Sequence, residues 1–472
     1  MPNDIECVRK ERSLTSIVEQ SIAAVDQHKS LNAYTYVDRY GARTRAHELD
    51  AQTDHVFPLK GFVLAIKDNI HVAGMPSSAG TASLRGFYPQ KSASVVERLI
   101  QNGAIILGKS GMHELAYGIT SNNFEFGPVR NPVDESKIPG GSSGGSAAAV
   151  RAGLARAALG TDTGGSVRLP AALTGTFGFR PSIGRYSQDG ILLISPTRDT
   201  IGLITNSVAD TILLDGVIVG STPKVKSVDL SSLRLGIPRK YFYEDLDPDV
   251  EHVSTAFLKK LEALGVVLVQ ANVADIQELN KRVGFPIALY ETSRAVPEYL
   301  EKYKTGIELS DFIKGIKSPD VQNIMTTVFS GKVSLEQYEA ALEYFRPKLQ
   351  ATYKAYFNKN NVDAILFPTS PITARNIAGI LDGVVVNGEL KDTFSTYIHN
   401  TDPASNAGLP GISIPAGLSS DGLPVGMELD AREGDDEHLL SIALAIEIAL
   451  NGDDEENKKN RACIDRNTVK TN

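Results

Sequence analysis

Apolar residues recur along the chain in two patterns, one helical and one extended. The segment 13–26 repeats them at helical spacing, which predicts an amphipathic helix with Ser13 as its N-cap. Short apolar runs at 59–66 and 104–107 predict buried strands, and the small-residue run 146–158 predicts a helix that packs close to a sheet. Strands and helices therefore alternate, which favours an α/β fold.

The alternation continues in the second half, around a helical interruption. Residues 233–237, 248–264 and 266–269 predict a strand–helix–strand unit with parallel strands. Residues 271–357 are mainly helical and rich in charge, which is compatible with either a solvated cap or a lid over a pocket. The remaining elements are strands at 364–367 and 411–415, a closing helix at 435–450 with Asp435 as N-cap, and a polar, disordered tail at 452–472.

The composition is typical of a soluble protein with a substantial core. Of the 472 residues 42% are hydrophobic, and the net charge of −8 argues against nucleic acid as a partner. The polar first residues predict no signal peptide, and no apolar run approaches the roughly 18 residues of a membrane span. Cys7 and Cys463 are too far apart in sequence to indicate a metal pair. We therefore expect a cytoplasmic monomer or homodimer that acts on a small molecule without metal or cofactor.

Residues 103–110, GAIILGKS, match the phosphate-binding pattern G-x-x-x-x-G-K-S letter for letter. A true phosphate-binding loop follows a strand and opens a helix. Here residues 94–102 have helical periodicity, and Gly103 stands where a helix C-cap is expected. The residues after Gly103 then form a strand rather than a phosphate cradle, so the sequence argues against nucleotide binding.

Two glycine–serine clusters carry the candidate chemistry. Residues 140–145 read GGSSGG and residues 164–166 read GGS, with an apolar, alanine-rich segment between them. A hydroxyl fixed among glycines, with free backbone N–H groups beside it, supplies the nucleophile and the oxyanion cradle that acyl transfer needs. The alternative is a pair of flexible linkers, which the apolar segment between the clusters disfavours.

A serine nucleophile needs a base, and Lys67 is the candidate. The eight histidines are scattered and none stands in a nucleophile-elbow context. Lys67 ends the apolar run 62–66, where burial would pull its pKa several units below the ordinary value of about 10.4 and leave the amine neutral. Taken alone, Lys67 could equally be a solvated lysine at a strand end.

The chain closely resembles the amidase signature family in three segments at matching spacings. These are Lys67 with the following Asp-Asn-Ile, residues 141–145 and residues 162–168. The resemblance implies a triad in which Ser166 is the nucleophile, Ser142 a bridging serine after a cis peptide bond, and Lys67 the base. It further implies an oxyanion hole from the backbone N–H groups of Thr163, Gly164, Gly165 and Ser166, and site-shaping roles for Gly141, Ser143, Asp162 and Arg168.

The same resemblance implies the architecture. It predicts a single α/β/α sandwich with a large mixed β-sheet core, formed by one domain over residues 1–451. The core signature would occupy about 60–215, and the mainly helical insert about 271–357.

Within that family the chain resembles the branch of indoleacetamide and mandelamide hydrolases in four segments, 112–115, 118–123, 195–199 and 400–402. Enzymes of this branch cleave primary amides of arylacetic acids. Tyr117, Asn400 and residues 285–290 are the candidate pocket walls, whereas His113 and Asp199 fit scaffold roles better. The alternatives are a glutaminase subunit of a tRNA-dependent amidotransferase, a ureido-acid or aliphatic amide hydrolase, and a non-catalytic scaffold. The presence of all three triad residues disfavours the scaffold.

Overall fold

The computed structural model describes residues 13–52 and 56–452, and an eleven-stranded mixed β-sheet runs through them. The strands of the structure are β1 (Tyr34–Val37), β2 (Val63–Lys67), β3 (Ile105–Ser110), β4 (Asn122–Asn123), β5 (Gly127–Pro128), β6 (Ala157–Asp162), β7 (Phe177–Arg180), β8 (Thr200–Thr205), β9 (Arg234–Ile237), β10 (Val267–Gln270), β11 (Ala364–Pro368), β12 (Val384–Val386), β13 (Glu389–Lys391), β14 (Gly411–Leu418) and β15 (Pro424–Asp430). The large sheet has the order β1-β3-β2-β6-β8-β7-β14-β15-β11-β9-β10, while β4–β5 and β12–β13 form separate two-stranded ribbons.

Parallel pairs lie on both sides of an antiparallel centre in the large sheet, and the edge strand β1 pairs with β3 in antiparallel orientation. β2 is parallel to both β3 and β6, and β9 is parallel to both β10 and β11. The pairs from β6 through β8, β7, β14 and β15 to β11 are antiparallel. The predicted parallel unit of two strands and a helix is therefore confirmed as β9 and β10 with the helix Pro248–Ala263 between them.

Helices cover both faces of this sheet. The α-helices of five or more residues in the described part of the chain are α1 (Leu14–Gln27), α2 (Arg39–Ala51), α3 (Ser94–Gln101), α4 (Gly144–Arg151), α5 (Arg168–Thr174), α6 (Val208–Val219), α7 (Pro248–Ala263), α8 (Ile276–Lys302), α9 (Leu309–Lys314), α10 (Pro319–Phe329), α11 (Leu335–Glu339), α12 (Arg346–Asn360), α13 (Thr393–Ile398), α14 (Asp402–Ala407) and α15 (Asp436–Leu450), with a π-helical stretch at Ala340–Phe345 between α11 and α12. None of the helices among the described residues is long and apolar enough to cross a membrane.

The core lies in two layers, one on each side of the sheet. On one face α3, α6, α7 and α15 bury apolar side chains against strand residues such as Leu64 and Leu203. On the other face α1, α2 and α4 pack against Val63 and Ile105, and α8 and α12 pack against Ile365. This confirms the predicted α/β/α sandwich with a large mixed sheet.

Several element bounds differ from the sequence-based expectations. The helix predicted over 146–158 ends at Arg151, and Ala157 already belongs to β6. Gly153 adopts φ +69° just after the helix, a conformation that commonly stops helices, but the alanines on both sides hide this boundary in the hydropathy pattern. The strand predicted from residue 59 begins only at Val63, because residues 58–61 form a turn.

Other expectations are confirmed. The Ser13 side chain caps α1 by accepting a hydrogen bond from the Ser16 N–H. Residues 105–110 are a fully buried strand after a helix, so the phosphate-loop pattern is not a phosphate cradle. Asp435 precedes α15, although its side chain makes no capping bond. The single-domain extent 1–451 stays a prediction, and residues 453–472 of the predicted tail lie outside the described residues.

Candidate active site

Lys67 is the last residue of β2, and its side chain is completely buried. The Lys67 Nζ lies 2.7 Å from Ser142 Oγ and 2.7 Å from Thr161 Oγ1, and it donates to the Thr161 carbonyl at 3.3 Å. The apolar run before Lys67 puts it in the interior, and the parallel neighbour β6 brings Thr161 alongside. The amine is thereby held at a fixed position against the Ser142 hydroxyl.

Burial also changes the protonation of this amine. It lowers the pKa of Lys67 from 10.5 to about 7, although the nearby carboxylates Asp162 and Asp199 act in the opposite direction. Burial likewise raises the pKa of Asp199 to about 6, partly offset by hydrogen bonds from Thr163 and from the backbone of Ser195 and Ile194. A substantial fraction of Lys67 is therefore neutral near neutral pH, as a base requires.

Ser142 and Ser166 come from two loops that lie against each other. Ser142 follows a cis peptide bond after Gly141, in the loop before α4, as the family resemblance implied. Ser166 lies between β6 and α5. The Ser143 N–H donates to the Ser166 carbonyl at 3.2 Å, which joins the two loops next to both hydroxyl-bearing residues. Ser143 Oγ further ties its loop to β6 through the Thr161 carbonyl, at 3.2 Å.

The loop that carries Ser166 is organised by Asp162. Its carboxylate accepts the N–H groups of Gly165 at 2.8 Å and Val167 at 3.1 Å, which fixes the backbone on both sides of the serine. Burial alone would raise the pKa of Asp162, but the guanidinium groups of Arg168 and Arg180 hold it well below its usual range. Asp162 is therefore a permanent anion at the base of the loop.

This contact corrects one expectation. The Gly165 N–H was expected in the oxyanion hole, but it is already engaged with Asp162. Gly165 is required for another reason: it has φ +129°, and a Cβ there would lie 2.1 Å from Thr401 Oγ1. The N–H groups of Thr163, Gly164 and Ser166 remain the predicted donors.

Arg168 connects the Ser166 loop to the other half of the chain. Its side chain is completely buried and binds Asp162, Glu428 on β15 and Ser405 on α14. The Arg168 Nη2 to Ser405 Oγ distance is 2.6 Å. Residues from three distant parts of the sequence thus converge beneath the candidate nucleophile.

A cavity opens beside Ser166. Its wall is mostly apolar and is formed by the segment around Tyr117, by helices α8 and α13, and by one side chain of α10. The apolar residues of the wall include Tyr117, Ile119, Ile194, Phe285, Leu289 and Ile398. Thr163, Gly164, Arg198 and Asp402 form the polar part of the wall. The arrangement places Ser166 in the wall of an apolar pocket, and the loop that carries the buried Ser142, paired with Lys67, is hydrogen-bonded to the Ser166 loop. This is chemically suited to acyl transfer.

A family model described as amidase matches residues 16–440. The chain belongs to the amidase signature family. It is 47% identical to an indoleacetamide hydrolase of Rhizobium radiobacter, over 94% of this chain and 95% of that protein. It is 42% identical to a mandelamide hydrolase of Pseudomonas putida, over 93% of this chain and 89% of that protein. A crystal structure described as an amidase covers 94% of this chain and 97% of its own, with 30% identity and a TM-score of 0.84.

The predicted pocket residues of this amidase fall in different places. Tyr117 lines the cavity, and its hydroxyl contacts Thr292 on α8. Asn400 does not line it: its Nδ2 donates to the backbone carbonyls of Phe242 and Pro368, at 2.9 and 2.7 Å. The expectation for Asn400 is therefore corrected, since the side chain is turned toward the end of β11 rather than toward Ser166.

Sequence reasoning missed three residues of this amidase site. Thr161 gave no signal beyond its place in an apolar run. Arg198 and Asp402 both lie in segments that resemble the relatives, 195–199 and 400–402, but those segments do not reveal which side chain enters the cavity. His113 lies buried against Thr120 and Asp320, in keeping with a scaffold role.

Proposed function

We propose that this amidase hydrolyses neutral primary amides of arylacetic acids, such as indole-3-acetamide or mandelamide, to the carboxylic acid and ammonia. The apolar cavity that opens beside Ser166 is the observation that carries the proposal. The relatives named indoleacetamide hydrolase and mandelamide hydrolase support the same substrate class. Each Å² of apolar ring surface that such a cavity buries contributes about 25 cal/mol, so small aliphatic amides gain much less.

Ser166 Oγ attacks the amide carbonyl in the first step. Its proton passes to Ser142 Oγ, while the Ser142 proton passes to the neutral Lys67 Nζ, for which the 2.7 Å separation is suitable. The depressed pKa of Lys67 keeps the acceptor available near neutral pH. The backbone N–H groups of Thr163, Gly164 and Ser166 would stabilise the negative oxygen of the tetrahedral intermediate.

The leaving group then takes the proton back. Lys67, now protonated, returns it through Ser142 to the departing nitrogen. The C–N bond breaks, the nitrogen leaves as ammonia, and the acyl group stays on Ser166 Oγ as an ester. A water molecule attacks this ester in the second step, with Ser142 and Lys67 again accepting the proton. The acid is released and the three side chains return to their starting states.

Ammonia release by the purified chain tests the substrate class. We expect kcat/KM for phenylacetamide and indole-3-acetamide to exceed that for acetamide by on the order of 100-fold, because the ring buries its apolar surface. Assays contain a chelator and no ATP, and Ser166→Ala supplies the background. Glutamine or malonamate as the best substrate, or loss of turnover with the chelator, would contradict the proposal.

A further inference from the structure

One carboxylate stands in the apolar cavity beside Ser166. Asp402, the first residue of α14, lines the cavity with only 12% of its side chain exposed. Its Oδ1 accepts from Arg198 Nη2 at 2.6 Å, and its Oδ2 accepts from Asn280 at 3.1 Å and from Asn406 at 2.9 Å. The carboxylate is therefore paired with a guanidinium and held at a fixed orientation.

The two carboxylate oxygens of Asp402 differ in how many further hydrogen bonds they can accept. Oδ2 receives two hydrogen bonds, which match its two lone pairs. Oδ1 receives one from the described residues, and it faces the Ser166 loop, since a Cβ added to Gly164 would lie 3.0 Å from it. One lone pair of Oδ1 is thus left for a donor beside the Ser166 loop.

The positive charge of Arg198 is already paired, so Arg198 does not attract an anionic substrate to this position. Its Nη1 donates to the Gly284 carbonyl at 2.8 Å, and its Nη2 serves Asp402 and the Thr163 carbonyl. The Arg198 Nε has no hydrogen-bond partner among the described residues, but the positive charge is paired with Asp402. Among the described residues that line the cavity, its polar part therefore offers the substrate's acyl group an acceptor and no unpaired cation.

We propose that Asp402 Oδ1 accepts a hydrogen bond from an N–H or O–H donor on the acyl group, and so selects arylacetamides that carry one. The indole ring N–H and the α-hydroxyl of mandelamide are the two sources of such a donor. This inference rests on the proposed function and deepens it. A site built to receive a substrate donor discriminates against analogues that lack it, because the buried acceptor then stays unpaired.

Two pairs of amides with matched shapes test this choice in the wild-type enzyme. Indole-3-acetamide is compared with 1-benzothiophene-3-acetamide, which lacks the ring N–H, and mandelamide with phenylacetamide, which lacks the hydroxyl. We expect the donor-bearing member of at least one pair to have a kcat/KM at least about tenfold higher; the pair that responds identifies the donor. Equal rates within both pairs would overturn the inference and leave the proposed function standing. No turnover of any of the four amides would instead overturn the proposed function.

The variant Asp402→Asn tests whether the preference for the donor-bearing amide depends on this residue. We expect the preference to fall to about threefold or less, because the donor-bearing amide loses more of its kcat/KM than the analogue without a donor. A merely structural role predicts an equal fall for both members, and that result would overturn the inference. Asp215→Asn is the matched control: it changes another buried carboxylate paired with an arginine, Arg185, outside the cavity, and it should leave the preference unchanged.

Asn280→Ala keeps the test decisive if Asp402→Asn does not fold. It removes one donor to Oδ2 and leaves the Asp402 acceptor in place. The carboxylate then loses part of its fixed orientation, so we expect the preference to fall at least about threefold with little change for the analogue without a donor. An unchanged preference in Asn280→Ala, with Asp402→Asn unfolded, would overturn the inference.

Discussion

At the residue scale, the proposed chemistry depends on a lysine that the fold keeps away from water. Lys67 contacts Ser142 and Thr161 in a completely buried position, and burial lowers its pKa to about 7. Asp162 and Asp199 limit this fall. The site therefore balances two opposing demands: the amine must be neutral to accept a proton, yet basic enough to hold it.

Replacement of the candidate nucleophile is the simplest test at this scale. Ser166→Ala should reduce turnover of an arylacetamide by at least about 10³-fold, because the variant lacks the hydroxyl that is proposed to carry the acyl group. Its unfolding transition should stay close to that of the wild type. A fluorophosphonate should label the wild-type protein at Ser166 and not label the variant; retention of substantial activity in Ser166→Ala would refute the assigned nucleophile.

The pH dependence tests the base. kcat/KM should rise with pH along an acid limb centred near pH 7, because only neutral Lys67 accepts the proton. Lys67→Met should lose several orders of magnitude of activity, and its residual rate should lack this limb. Lys109→Met, which removes another completely buried lysine, is the control and should retain the limb. The same limb in Lys67→Met would show that another group is responsible.

The same pKa shift has a consequence for stability. Between about pH 7 and 10.5 the unfolded chain binds the lysine proton and the folded chain does not. The free energy of unfolding therefore gains a contribution that rises with pH across this window and is lost on acidification. Lys67→Met should remove that part of the slope in denaturant titrations at several pH values.

Lys67, Ser142 and Ser166 could be proposed as a triad from the sequence because their neighbours form a specific pattern. The Gly165 amide could not be assigned correctly, since its use depends on where the Asp162 carboxylate lies. Asn400 and Asp402 stand two positions apart in one segment, and only the fold shows which of them faces the cavity. Side-chain direction in a loop is a tertiary property that the residue types do not encode locally.

At the element scale, helix α8 forms the outer wall of the cavity and is tied to the core by Glu291. The Glu291 carboxylate accepts hydrogen bonds from Ser195 Oγ at 2.6 Å, from Thr197 Oγ1 at 2.8 Å and from Tyr338 at 3.1 Å. The same helix carries Phe285 and Leu289 into the cavity wall. The hydrogen bonds of Glu291 should therefore set how firmly the aryl group is held.

Glu291→Ala should loosen this wall. It leaves several donors without their acceptor, so we expect a loss of about 1–3 kcal/mol in the free energy of unfolding. KM for phenylacetamide should rise more than KM for acetamide, which does not reach the wall. Glu298→Ala removes an exposed glutamate from the same helix and is the control. Equal changes in KM for the two amides would contradict the role given to α8.

The helical insert itself could be predicted, because charged, periodic residues over 271–357 indicate helices. Its role as part of the cavity wall could not, since the contacts between α8 and the segments of Tyr117 and Ile194 join distant parts of the chain. The end of α4 was missed for a different reason. Alanine is compatible with both a helix and a buried strand, so the pattern did not mark the change at Gly153.

At the scale of the whole molecule, the sheet brings the two halves of the sequence together beneath the candidate active site. Arg168 and Asp162 belong to the first half and Glu428 to the second, and all three are completely buried. The strand order that makes this possible, with β14 and β15 between β7 and β11, is not visible in local patterns. The family resemblance supplied the architecture, whereas hydropathy alone indicated only an α/β fold.

Arg168→Met tests this convergence. The change leaves the buried carboxylates of Asp162 and Glu428 without a shared partner, so we expect a loss of about 3–5 kcal/mol in the free energy of unfolding. Arg156→Met removes a guanidinium that is paired with Asp210 and 44% exposed, and it should cost about 1 kcal/mol or less. Chemical denaturation of both variants gives the comparison; similar losses would contradict a structural role for the buried cluster.

The central claim is that an arylacetyl group is transferred to Ser166. The most direct measurement is peptide mapping by mass spectrometry after acid quench, during turnover of 4-nitrophenyl phenylacetate, whose good leaving group speeds acylation. The account predicts one phenylacetyl group on the peptide that contains Ser166, and none in Ser166→Ala. A phenylacetyl group on another residue, or nitrophenol release with an unmodified Ser166 at every quench time, would contradict it.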